Sequence, residues 1–297
     1  MVDMLKRLRE LETKILTLSD GRKVSYLDIG DPKGTPILYF HGSPGSRYEA
    51  LFAEKSAISH NLRIIAPDRP GFGDSDFKPD YSLLDYNNDI IEIVDQLNVS
   101  KFGAVGVSGG GTTVLSLAYE YSNRLLFAVD ISGYAPIHKT GLSKVMVPLD
   151  RLFWRIAKIA PWLFKLSFSY MGRIATTKSP QKFSKLLKSA YSGPDAEILE
   201  NEEMAKFLRV DMIEAFKNGA DGPSWDTMIR YLDWEFNIQD IDFKIHIFHG
   251  SEDITVPLKF AEYKAEHLQN TSYTVYKDEG HFMFVRKFDE ILSQVIH

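Results

Sequence analysis

The 297-residue chain carries 35 Lys and Arg against 40 Asp and Glu, a net charge of −5, so no overall basic field draws it to nucleic acid. With no cysteine it can form neither a disulfide nor a thiolate metal site, which fits a reducing, cytoplasmic setting. No run approaches the roughly 18 apolar residues of a membrane span, and the N-terminal segment alternates charge with leucine instead of presenting a secretory apolar stretch. The expected partner is a small molecule, with no nucleic acid and no stable membrane insertion.

In chain order, residues 3–12 read as a short amphipathic helix. Two strands follow, Lys14–Leu18 and Lys23–Ile29, joined at Asp20-Gly21, a hairpin signal between β-prone runs. Pro36–Phe40 and Leu62–Ala66 are continuous apolar runs, as expected of strands buried on both faces, with a helix over Arg47–Ser59 between them. Ser82 is placed to cap a helix reaching Leu97, whose Leu83, Ile90, Ile93, Val94 and Leu97 share one face. A glycine-bounded strand ending at Val107, a helix over Thr112–Tyr121 and a strand over Leu126–Ile131 continue the alternation. It resumes with strands Ile245–Phe248 and Ser272–Tyr276, the helix Leu258–Leu268 and a final helix introduced by Gly280-His281. Strand–helix alternation of this kind predicts an α/β fold, a mostly parallel sheet of about eight strands with helices on both faces.

Between about Gly133 and Phe243 the rhythm breaks into some hundred residues of helical pattern. The predicted division is therefore a core of residues 1–134 and 238–297 interrupted by a helical cap, residues 135–237. The cap is rich in aromatics, among them Phe153, Trp154, Trp162, Phe164 and Phe168, and its stretch from Val145 to Met171 also carries Arg151, Arg155, Lys158 and Lys165. Packing of this stripe over a catalytic cleft is favoured over a membrane-surface role; an apolar roof suits an acyl or aromatic substrate.

The chemistry centres on Gly106-Val107-Ser108-Gly109-Gly110, a strand-to-helix turn whose glycines leave room for an exposed serine hydroxyl. A dinucleotide loop is the rival, with Gly106, Gly111 and the later Asp130 near the expected spacing, but Ser108 stands where a middle glycine must meet a pyrophosphate. An activated serine needs a base, and the base an orienting carboxylate. Asp253 and His281 follow the last two strands, at the same sheet edge where Ser108 emerges, in the order nucleophile, acid, base. Glu252 and Asp130 are competing acids. Two amides are expected to stabilise an oxyanion: that of Gly109 and, since Pro44 has no N–H, that of Ser43. His41 is expected to support its loop. No cofactor and no metal are called for.

These motifs, with His41-Gly42-Ser43-Pro44-Gly45, Asp68-Arg69-Pro70-Gly71-Phe72-Gly73-Asp74-Ser75, His249–Pro257 and Gly280-His281-Phe282, resemble the α/β-hydrolase fold superfamily from about residue 14 to the C-terminus, the cap excepted. The resemblance is to its lidded, cofactor-free members: proline iminopeptidases, carboxylesterases and C–C bond hydrolases. It implies a serine hydrolase acting through an acyl-enzyme, a carboxylic ester being the expected substrate. Dehalogenases and epoxide hydrolases of this fold carry aspartate at the position of Ser108. Proline iminopeptidases place tryptophan after the nucleophile, whereas Gly109 leaves that space open. An aminopeptidase reading would enlist Glu202, Glu203 or Asp211 for a free amine. A ligand receptor retaining the triad is a further alternative.

Overall fold

The computed structural model describes residues 4–138 and 140–296. Eight strands form one sheet: β1 (Lys14–Thr17), β2 (Lys23–Gly30), β3 (Thr35–Phe40), β4 (Leu62–Pro67), β5 (Phe102–Val107), β6 (Leu125–Ile131), β7 (Ile245–Gly250) and β8 (Thr271–Tyr276). Their spatial order is β1-β2-β4-β3-β5-β6-β7-β8. β1 and β2 pair antiparallel, β2 pairs antiparallel with β4, and every pairing from β4 to β8 is parallel. The central strands are the continuous apolar runs, because helices cover both of their faces.

On one face pack α3 (Leu83–Gln96), α4 (Gly110–Glu120) and α11 (Lys259–His267), which contribute Ile90, Leu115 and Ala261 to a core shared with Leu38 and Ala104. On the other lie α2 (Leu51–Ser59) and α12 (Phe284–Val295), contributing Ala53, Phe284 and Ile291 against Ile37 and Val105. α12 buries Phe284, Phe288, Ile291 and Leu292, the i, i+4, i+7, i+8 stripe of a one-sided helix. Each such side chain contributes up to about 2 kcal/mol. Ser82 caps α3 through a reciprocal box with Asp85, as the sequence suggests.

The N-terminal helix α1 spans Met4–Glu10, shorter than the expected 3–12, with Asp3 outside the described residues. Helix α4 begins at Gly110, two residues earlier than expected, so that the turn at Ser108 runs directly into it. Between β6 and β7 the described residues form six α-helices: α5 (Pro148–Ile159), α6 (Pro161–Thr177), α7 (Pro180–Ala190), α8 (Gly193–Leu199), α9 (Glu202–Ala215) and α10 (Asp221–Tyr231). This helical insertion rises from the carboxyl edge of the sheet, where β5, β6 and β7 end, and delivers side chains onto that edge.

Candidate active site

Fully buried β5 ends at Val107, and the backbone turns at Ser108 with φ of 53°, a left-handed conformation that non-glycine residues rarely adopt. The neighbours make the turn feasible. A Cβ on Gly106 would run into the Gly110 carbonyl, and one on Gly110 into the Phe40 carbonyl of β3. The Ser108 amide donates to the Ile131 carbonyl at 2.8 Å, holding the turn against β6. Ser108 is 6% exposed, and it lines a cavity of about 100 Å³ together with His281.

His281 follows β8, and its Nδ1 lies 2.8 Å from Asp253 Oδ2. The other oxygen of Asp253 accepts the amides of Thr255 and Val256 at 2.9 and 2.8 Å, fixing the carboxylate. Burial works against charge on Asp253, but His281, His249 and the Val256 amide outweigh it and hold the carboxyl below its usual range. Burial likewise opposes the imidazolium of His281, yet the charge and hydrogen bond of Asp253, with Asp195 and Glu49 beyond, raise its pKa. With Nδ1 committed to Asp253, Nε2 is the nitrogen left to serve the cavity. The rival acids lie elsewhere. Asp130 is fully buried in an ion pair with Lys264, which also donates to the Gly133 carbonyl at 2.7 Å. The Glu252 backbone amide donates to the Glu279 carbonyl, and its carboxylate approaches Gly193. A second histidine, His249 at the end of β7, donates from Nε2 to the Val256 carbonyl at 2.7 Å and sits 3.3 Å from Asp253 Oδ2. Burial pushes its pKa down.

The loop after β3 carries the second expected amide donor, Ser43, and a network of charged groups holds it. Arg69 donates to the carbonyls of His41 and Gly42 at 2.5 and 2.9 Å and to Ser43 Oγ at 2.6 Å. Ser43 Oγ in turn donates to Asp226 Oδ2 at 2.8 Å. The Glu49 carboxyl accepts the Gly42 amide at 2.9 Å and the Tyr39 hydroxyl at 3.0 Å. Asp211 Oδ1 accepts both the amide and the hydroxyl of Ser46, at 3.0 and 2.5 Å. His41 is buried and neutral: burial drives its pKa well down, and Nδ1 meets the Gly42 carbonyl at 2.8 Å, a supporting role as expected. Gly109, at the start of α4, presents an amide without an intrahelical partner.

Several of these groups escape sequence reasoning. Three buried aspartates of the insertion reach the loops of the site. Asp195 at the start of α8 accepts the amides of His281 and Phe282 at 2.9 and 2.8 Å. Asp211 on α9 holds Ser46, and Asp226 on α10 holds Ser43 while pairing with Arg230 at 2.7 Å and Arg69 at 2.8 Å. No local signal ties them to these loops, which lie some 86 to 183 residues away. Glu49 lies beside Asp211 in the cavity wall, and burial raises its pKa to about 7. Burial and the neighbouring Glu49 likewise raise Asp211.

Two expectations require correction. The space beside Gly109 is not open, because the Arg230 guanidinium fills it: a Cβ there would stand 2.9 Å from its central carbon. Nor do the cap aromatics roof the cavity. Phe164 and Phe168 pack into a separate cluster with Phe216 and Tyr231, Phe153 and Trp154 lie against that cluster, and Trp162 is 71% exposed. The apolar wall is instead Leu187, Tyr191, Leu208, Met212, Phe282 and Phe284. Of the carboxylates considered for an amine, Asp211 lines the cavity, while Glu202 and Glu203 are exposed.

A sequence model described as alpha/beta hydrolase fold matches residues 35–288. An uncharacterized hydrolase of Bacillus subtilis, YcgS, is 23% identical over 277 residues, covering 90% of this chain and 91% of its own. The 2-hydroxymuconate semialdehyde hydrolase of Pseudomonas putida is 25% identical over 276 residues, 89% and 86% of the two chains. Among solved structures, an esterase from Exiguobacterium antarcticum superposes with a TM-score of 0.68 at 21% identity, covering 95% of this chain and 98% of its own, a likeness of fold.

Proposed function

The chain belongs to the alpha/beta hydrolase fold family, and from that premise we propose that it is a serine hydrolase cleaving a carboxylic ester or related acyl bond through a Ser108–His281–Asp253 triad. The 2.8 Å contact of His281 with Asp253, beside a cavity that also contains Ser108, carries this reading. Ser108 Oγ attacks the carbonyl carbon as its proton passes to His281 Nε2. The protonated imidazole, held by Asp253, returns that proton to the departing alcohol. Water then repeats the sequence in reverse and frees the acid from Ser108. The amides of Ser43 and Gly109 receive the oxyanion, worth about 3 kcal/mol for a single donor. Residues 135–237 act as a cap over a core of 1–134 and 238–297. The cavity is small for a ligand site and its wall largely apolar, which favours a short acyl group.

The test is turnover of p-nitrophenyl esters of increasing acyl length. kcat/KM is expected to be highest at short chains, the reverse of the rise from acetyl to medium-chain acyl esters that a roof of cap aromatics implies. Ser108→Ala and His281→Ala are each expected to lower kcat by several orders of magnitude, and Asp253→Asn to impair it more than Glu252→Gln. Near-wild-type turnover by Ser108→Ala would overturn the assignment. A second reading has its own support: the carboxyls of Glu49 and Asp211 in the cavity wall suit a substrate with a free amino group, as in an aminopeptidase. Faster release of N-terminal proline from an amide than of any simple acid from its ester would decide for it.

A further inference from the structure

The first two helices of the insertion form a hairpin with one face anchored and the opposite face in solvent. The anchored side of α6 carries Phe164, Phe168 and Ala175, all buried. Its other side exposes Trp162, Leu166 and Tyr170, spaced i, i+4, i+8, with Trp162 at 71% and Tyr170 at 67%. α5 continues the patch with Leu149, Leu152 and Ile159, the last 82% exposed. Single exposed apolar residues need no explanation, but six on two helices packed against each other point to a contact surface.

Charge identifies what the surface meets. α5 and α6 hold five Lys and Arg against one carboxylate, Asp150, a net of +4 within a chain of net −5. Exposed Arg155 and Lys158 lie beside the apolar stripe of α5, and Arg173 lies at the far end of that of α6. A second copy of the chain docked through the same face would set +4 against +4. A nucleic acid would satisfy the charge and leave the leucines and tryptophan wet. We propose that the α5–α6 face docks on a lipid bilayer carrying anionic headgroups. Leu149, Leu152, Ile159, Trp162, Leu166 and Tyr170 enter the boundary between headgroups and acyl chains, and the surrounding lysines and arginines meet lipid phosphates. Tryptophan and tyrosine, each with an apolar body and a polar tip, are suited to that depth.

Flotation with phosphatidylcholine vesicles, with and without about a quarter phosphatidylglycerol, tests the proposal. Binding is expected on the anionic vesicles alone, weakened at least about tenfold when salt is raised from roughly 0.05 to 0.5 M. It is expected to shift tryptophan emission to the blue, a shift lost in Trp162→Phe. The double variant Leu152→Glu/Leu166→Glu changes positions that are 49% and 58% exposed, so it should keep the wild-type melting temperature while binding vesicles at least about tenfold more weakly. Failure to float with anionic vesicles, or equal binding by the double variant, would overturn the proposal. So would a dimer that the same variant dissociates, or nucleic-acid binding tighter than vesicle binding.

Discussion

Glu49 shows what a single buried side chain costs and contributes. Its carboxyl holds the Gly42 amide in place, yet burial raises its pKa from 4.5 to about 7. The folded state therefore retains a proton that the unfolded chain releases. The stabilisation is fully present below pH about 4.5 and is lost as pH rises through about 7, an effect of up to about 3 kcal/mol. Glu49→Gln keeps an acceptor for Gly42 and removes the titration. Its melting temperature relative to wild type should climb by several degrees between pH 5 and 8; a difference independent of pH would contradict the buried, proton-retaining carboxyl. Gly109 is a comparable case: the glycine after Ser108 reads in sequence as open space, but here it is the room that Arg230 requires.

At the scale of elements, the carboxyl edge of the sheet and the helical insertion are tied together by aspartates. Ser108, Asp253 and His281 follow β5, β7 and β8, but Asp195, Asp211 and Asp226, from α8, α9 and α10, hold the loops beside them. Asp195 is the clearest case, since it binds two successive backbone amides and touches His281 only through the main chain. It is a positioning residue. Asn in its place has one acceptor oxygen where two are used, so one buried N–H loses its partner. Asp195→Asn is expected to lower kcat about tenfold or more with KM little changed, while the protein still melts cooperatively. Unchanged kcat would show that α8 does not govern the placement of His281.

The whole molecule divides into what short-range signals reveal and what only packing decides. Continuous apolar runs, the Asp20-Gly21 hairpin, the capping residue Ser82 and the glycines about Ser108 are local constraints, and the sheet, its helices and the turn follow them closely. Chain order alone places Asp253 beside His281, because both close strands at one edge of a parallel sheet. The insertion obeys no comparable local rule. Helical periodicity shows that its residues form helices but not which face turns inward. Phe164 and Phe168 are therefore buried in a core of their own, Trp162 faces solvent, and the cavity wall comes from α7, α9 and the loop after β8. Ion pairs such as Lys264–Asp130 are equally invisible in sequence, being separated by 134 residues, and that one removes Asp130 from the contest for the acid.

Reaction with a fluorophosphonate, followed by intact mass and peptide mapping, tests directly whether Ser108 is the nucleophile of an acyl-enzyme activated by His281. One adduct is expected, located on Ser108, absent from Ser108→Ala and formed far more slowly in His281→Ala. An adduct on any other residue, or labelling of Ser108→Ala at the wild-type rate, would contradict it.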